Sequence, residues 1–204
     1  MLKLIGSPKT RAFRVMWMLH ELGLPFELDP VAPRDASLEA INPSRKVPIL
    51  EDGEDYIIDS VAICQYLADK HAKLTFPAGT IKRAHQDSFT QFAVDDVESS
   101  LWTAAKHTFA LPAELRVEGV LKACRYDFDR AMTALSARLG DKAYVMGGEF
   151  TVPDVLLGHC GGWAMSMSWP IPEGNVSDYI SRVRARPAFK AAWAARETSL
   201  AGLG

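Results

Sequence analysis

Short apolar strands alternate with amphipathic helices through the first 71 residues, and past residue 81 only helical patterns remain. No other feature restricts the fold as much. Leu2-Lys3-Leu4-Ile5 reads as a strand that stops at Gly6-Ser7-Pro8. Over residues 10–22, Phe13, Val15, Met16, Trp17, Met18, Leu19 and Leu22 recur at helical spacing, and Gly23 supplies the stop. Pro25-Phe26-Glu27-Leu28-Asp29 is a second strand. A loop with a short helical turn over 37–41 then leads to Asn42-Pro43. Pro48-Ile49-Leu50-Glu51 and Tyr56-Ile57-Ile58 flank Asp52-Gly53, which is a hairpin signal. Residues 60–71 form a helix with Val61, Ile63, Cys64 and Leu67 as its apolar face. The order is β-α-β followed by β-β-α. The first part gives parallel strands through a right-handed crossover, and the hairpin extends the sheet antiparallel.

Pro77 and Gly79 make residues 74–80 a linker. Helical patterns follow over 81–107, 113–139, 153–167, 176–184 and 187–195. The expected fold is therefore an α/β domain of thioredoxin-like outline over residues 1–74, a linker over 75–80, and an all-α helical bundle over 81–204. Composition narrows the function. The net charge is −2, so the basic excess that nucleic acid requires is missing. No apolar run approaches the ~20 residues that span a bilayer, and the opening MLKLIGSP has no secretory pattern. A cytoplasmic protein with neither nucleic-acid nor membrane partners is expected. Cys64, Cys124 and Cys160 are far apart and form no CxxC pair, which predicts buried, reduced thiols and no metal site.

Two dipeptides carry the chemistry. In Arg45-Lys46-Val47-Pro48, the proline opens a hairpin strand where it need not donate to the ladder. If the Val47–Pro48 bond is cis, the Val47 N–H and C=O turn outward and can pair with an extended peptide; a trans proline would only start a strand. Twelve residues after Val47 comes Asp59-Ser60, between an apolar strand and a helix. Ser60 is expected at the helix N-cap, where free N–H groups and its hydroxyl can hold a carboxylate. Asp59 offers the opposite charge, suited to an α-amino group. An amino-acid head group needs both at once.

Lys46-Val47-Pro48, Asp59-Ser60 and the β-α-β/β-β-α order resemble the amino-terminal domain of cytosolic glutathione transferases. Thr10-Arg11-Ala12-Phe13-Arg14 and Leu22-Gly23-Leu24-Pro25 are similar to bacterial and fungal members of the serine type. Phe150-Thr151-Val152-Pro153-Asp154 resembles the buried helix-capping motif of that family, and its residues suit a reciprocal Thr151–Asp154 cap. The resemblance covers essentially the whole chain. It implies glutathione as cosubstrate, held by Lys46, Val47, Pro48, Asp59 and Ser60, with no metal, and a homodimer.

The resemblance also implies a thiol-activating group just after the first strand. No Tyr or Cys lies between Ile5 and Phe13, which leaves Ser7, Thr10 and Arg11. Thr10 is preferred, because as the expected cap of the first helix it adds helix-terminal N–H groups; Ser7 follows the strand directly, and Arg11 brings positive charge. A donor to sulfur favours thiolate over thiol. An apolar electrophile site between the domains would draw on Phe109, Trp102 and Trp169. The expected activity is conjugation of glutathione to a small hydrophobic electrophile. The competing readings are a glutathione-dependent isomerase or peroxidase, and a non-enzymatic binding or regulatory relative.

Overall fold

The computed structural model describes residues 1–202. It divides into two compact units, residues 1–77 with 184–202, and residues 78–183. In the first unit the strands β1 (Leu2–Ile5), β2 (Phe26–Asp29), β3 (Ile49–Asp52) and β4 (Asp55–Ile58) form one sheet in the order β2-β1-β3-β4. β1 runs parallel to β2, while β3 is antiparallel to both β1 and β4. The β1–β2 crossover is α1 (Ala12–Leu22), and α2 (Ser60–His71) follows the hairpin.

Every residue of α1 from Ala12 to Leu19 is buried, because two helices enclose it. One is α2. The other is α8 (Pro187–Ala201), the last helix of the chain. Phe189 meets the Trp17 ring edge-on at 4.9 Å, and Trp193 meets Phe13 at 5.7 Å. Arg186 clamps both carboxylate oxygens of Glu21 at 2.7 Å, while Trp17 Nε1 donates to the same carboxylate at 3.0 Å. Bidentate geometry and an almost buried Glu21 side chain make this a strong type of ion pair. The sequence reading assigns this helix to the carboxyl-terminal bundle and ends it at residue 195. The structure extends it to Ala201 and groups it with the α/β unit, because α1 carries Phe13 and Trp17 on a face the sheet does not cover.

The second unit is helical. After Thr80, whose hydroxyl accepts from Arg83 N–H at 3.2 Å, α3 (Ile81–Phe92) and α4 (Ser99–Ala105) run on through π-helical turns at 93–98 and 106–110. The next helix, α5 (Val120–Leu139), begins later than the expected residue 113. The intervening residues close the preceding helix instead. Arg116 donates to the carbonyls of Leu111 and Phe109, and Val117 N–H donates to His107 Nδ1 at 3.0 Å. His107 is thereby committed to a structural bond.

The helices α6 (Val152–Ser166) and α7 (Asn175–Arg184) build the rest of this unit around Asp154. Its carboxylate is fully buried and accepts from Val145 N–H, Thr151 N–H, the Thr151 hydroxyl and the Tyr179 hydroxyl at 2.8–3.1 Å. The expected cap is present. The Thr151 hydroxyl, however, donates to the carboxylate, and Asp154 N–H donates to the Thr151 carbonyl at 2.9 Å. Burial pushes the Asp154 carboxyl up to about 6, against the pull of these four bonds. Gly161 lets α6 approach α7, since a Cβ there would lie 2.7 Å from Ile180 Cγ2. No helix among the described residues is long and apolar enough to cross a membrane.

Candidate functional site

The sheet register brings the sequence-predicted residues of the first unit to one end. Ile5 pairs with Ile49, and Ile49 pairs with Ile58, so the three form a row across β1, β3 and β4. The next positions toward that end are Gly6 after β1, Pro48 before β3 and Asp59 after β4. Gly6 has φ 139°, and a Cβ on it would stand 2.7 Å from Val47 Cβ. Only glycine therefore lets the end of β1 pass beneath Val47.

The Val47–Pro48 peptide bond is cis. The Val47 side chain packs on Ile5, Leu38 and Ile49. Among the described residues, neither its N–H nor its C=O meets a hydrogen-bond partner. The approach to Val47 is set by Asn42, which the sequence reading passed over as a loop residue. Asn42 is buried; its amide donates to the Lys46 carbonyl at 2.9 Å, and its oxygen accepts from the Ser44 N–H and hydroxyl at 3.2 and 2.8 Å. The signal for it was Asn-Pro-Ser, a side chain that folds its own backbone into a turn. Lys46 is exposed, and its ammonium pairs with no carboxylate among the described residues.

After β4 the capping assignment shifts by one residue. Asp59, not Ser60, is the N-cap of α2, and its Oδ1 accepts from the N–H groups of Val61 and Ala62 at 2.8 and 3.2 Å. Asp59 is exposed with φ 76°, a strained backbone that ligand clamps often retain. Ser60 is the first helical residue. Its N–H is one of those a helix start leaves without an internal partner. Its hydroxyl oxygen accepts from Nη1 of the fully buried Arg14 at 3.4 Å, which leaves the hydroxyl proton to donate elsewhere.

The loop after β1 separates the thiol-activating candidates. Thr10 is not the cap of α1, a position Arg11 takes. The Thr10 hydroxyl donates to the Ser7 carbonyl at 2.7 Å and accepts from Ala12 N–H at 3.1 Å. The Ser7 hydroxyl only accepts, from Lys9 N–H at 3.4 Å, and gives its proton to no described residue. Nearby Cys64 is fully buried, and burial pushes its thiol up to about 12 despite the Arg14 charge, so it stays a thiol. Cys124 and Cys160 are also buried, and neither is in a disulfide.

The aromatic candidates belong to the second unit. The Trp102 ring lies 6.4 Å from Trp163. Trp169 packs edge-on to Phe128 at 5.5 Å under the Arg125 guanidinium. Phe109 is 64% exposed.

Residues 4–75 match the family model described as glutathione S-transferase, N-terminal domain. Glutathione S-transferase 3 of Zea mays is 30% identical, over 93% of this chain and 91% of its own. This chain belongs to the glutathione S-transferase family. A glutathione transferase from Methylococcus capsulatus superposes with a TM-score of 0.82 at 25% identity, over 97% of this chain and all of the other. The transferase URE2P8 of Phanerochaete chrysosporium, solved with oxidized glutathione, gives a TM-score of 0.82 at 18% identity, over 98% and 96%. The α/β unit with its mixed sheet and the helical unit are those of the transferase fold.

Proposed function

We propose that the chain binds glutathione at the aligned end of β1, β3 and β4 and transfers its thiolate to a small hydrophobic electrophile. The supporting observation is the single row formed by Gly6, Val47-Pro48 and Asp59-Ser60. Val47 N–H and C=O pair with the tripeptide backbone as one more strand. The Ser60 hydroxyl and N–H hold the γ-glutamyl carboxylate at the helix start, and the second carboxylate oxygen of Asp59 takes the ammonium. Lys46 meets the glycine carboxylate.

Ser7 is the preferred donor to sulfur, because the Thr10 proton is already engaged with the Ser7 carbonyl. A thiol near 8.5 is mostly protonated at neutral pH, so a donor that lowers this value raises the nucleophile concentration. With an aryl halide, the thiolate sulfur forms a bond to the ring carbon and the halide leaves with its electron pair. The thiol proton has already passed to solvent. The electrophile is held by aromatic side chains, for which Trp102, Phe109 and Trp169 are the candidates. The proposed location is the cytoplasm and the proposed assembly a homodimer, for which Tyr56 and Ile58, exposing about half of their surface on the edge strand β4, offer a contact surface.

Calorimetric titration with glutathione, followed by turnover with an activated aryl halide, an isomerisable substrate and a peroxide, tests this reading. Binding with conjugation of the halide is expected. Failure to bind glutathione overturns it, and binding without turnover across the panel assigns the chain a non-enzymatic role. Ser7→Ala should lower kcat by about 100-fold, in the range a positioned proton-transfer or hydrogen-bonding group contributes. Thr10→Ala should act less strongly, through the loop alone.

A further inference from the structure

We propose that Arg196, near the end of α8, is a positioning residue for the loop that carries the Ser7 hydroxyl. This rests on the function proposed above. Arg196 Nε donates to the Pro8 carbonyl at 3.3 Å, across 188 positions of sequence. The Pro8–Lys9 peptide group links that contact to Ser7: its C=O accepts from Arg196, and its N–H, that of Lys9, donates to Ser7 Oγ at 3.4 Å. One rigid peptide plane therefore connects a guanidinium on the last helix to the candidate thiol-activating hydroxyl.

The rest of the loop is held by other bonds. Gly6 N–H donates to the Asp29 carbonyl and Ser7 N–H to the Val31 carbonyl, both at 2.8 Å, and the Ser7 carbonyl accepts from Thr10. Pro8 is buried, so its carbonyl needs a protein partner. The Ser7–Thr10 turn is closed by Thr10 N–H on the Ser7 carbonyl at 3.0 Å, so without Arg196 the Pro8–Lys9 peptide keeps that turn but loses its carbonyl partner, and the Lys9 N–H is less tightly directed at the Ser7 oxygen. A donor on that oxygen matters chemically. It occupies a lone pair and leaves the proton to point at sulfur, and a cation on the far end of the same peptide polarises the N–H toward stronger donation.

Arg196 is itself held in place. Its guanidinium lies 4.5 Å from the Trp193 ring centroid, and Nη1 meets the Glu197 carboxylate. Trp193 stacks on Phe189 at 5.9 Å and abuts Phe13 in the first turn of α1. The helix is fixed at its other end by the Arg186–Glu21 pair. Docking of α8 on α1 thus sets the position of Arg196 relative to the loop.

Arg196→Met in the full chain tests this, because it keeps an unbranched chain over Trp193 and removes the donor. The readouts are the pH titration of bound glutathione thiolate by ultraviolet absorbance, and kcat and KM with an activated aryl halide. The thiol titration should move upward toward its free value. kcat should fall about 10-fold, short of the roughly 100-fold that an ångström-scale misplacement costs. KM for glutathione should stay within about two-fold, since uniform binding is not lost. Arg196→Gln, which keeps a donor, should recover part of the loss and serves if the methionine variant does not fold. Lys190→Met on the exposed side of α8 should match the wild type. An unchanged titration and kcat in Arg196→Met, or a raised KM at constant kcat, overturns the inference alone. Wild-type protein that shows no bound thiolate overturns the proposed function as well.

Discussion

Replacing Asp59 separates two roles that one carboxylate performs. Its Oδ1 closes the start of α2, accepting from Val61 and Ala62 N–H, and in the proposed complex its other oxygen takes the ammonium of the γ-glutamyl head. Asp59→Asn keeps a capping oxygen and a residue type that tolerates positive φ, but removes the charge. Stability should change by less than about 0.5 kcal/mol, because aspartate and asparagine are near-equal N-caps. Glutathione affinity should fall about 10- to 150-fold, the equivalent of the ~1.5–3 kcal/mol of a hydrogen bond to a charged group. Asp59→Ala loses both roles. It should destabilise by about 1–2 kcal/mol through the missing cap, with alanine held at φ 76°, and bind no better than the asparagine variant. The assay is urea unfolding beside calorimetric titration with glutathione and with an analogue lacking the α-amino group. Wild type should prefer glutathione strongly over the analogue, and Asp59→Asn should not. Equal discrimination by both proteins would refute the ammonium assignment. An asparagine variant as unstable as the alanine one would refute the separation of roles.

Four further outcomes concern the second unit. Asp154→Ala should destabilise by about 4 kcal/mol or more, or prevent folding, since it strands several buried donors at ~1–3 kcal/mol each; Thr151→Ala should cost about 1 kcal/mol or more, with glutathione affinity little changed, both read by urea unfolding and titration. The Asp154 carboxyl is raised from 3.8 to about 6, so between these values the folded protein keeps a proton that the unfolded chain releases. Its contribution to stability is full below pH 4 and falls by about 3 kcal/mol as pH rises past 6, relative to Asp154→Asn; a pH-independent difference between the two would contradict this. Gly161→Ala should cost about 1–3 kcal/mol by forcing α6 away from Ile180, and a variant as stable as wild type would show that the interface yields freely.

What the sequence disclosed depended on whether a signal was local. Strand and helix periods, the Asp52-Gly53 turn and the Thr151–Asp154 cap are short-range patterns, and each element they predict is present. The assignment of Ser60 as N-cap failed by one residue because Asp and Ser are equally good caps. Only backbone angles distinguish Asp59 at φ 76° from a helical Ser60. Thr10 is a similar case. A threonine two residues before a helix reads as a cap, but its hydroxyl is drawn to the Ser7 carbonyl, a choice made by loop geometry. The placement of α8 was not legible in α8 itself. Phe189, Trp193 and Arg196 have helical spacing that fits a bundle equally well, and nothing near them names α1 or Pro8 as partner. The one distant hint was on α1, where apolar side chains recur too densely for a helix covered on one side. A helix buried all round must have a second cover. Here that cover comes from the far end of the chain, so the geometry of the Ser7 loop depends on residues that pattern alone assigns to another domain.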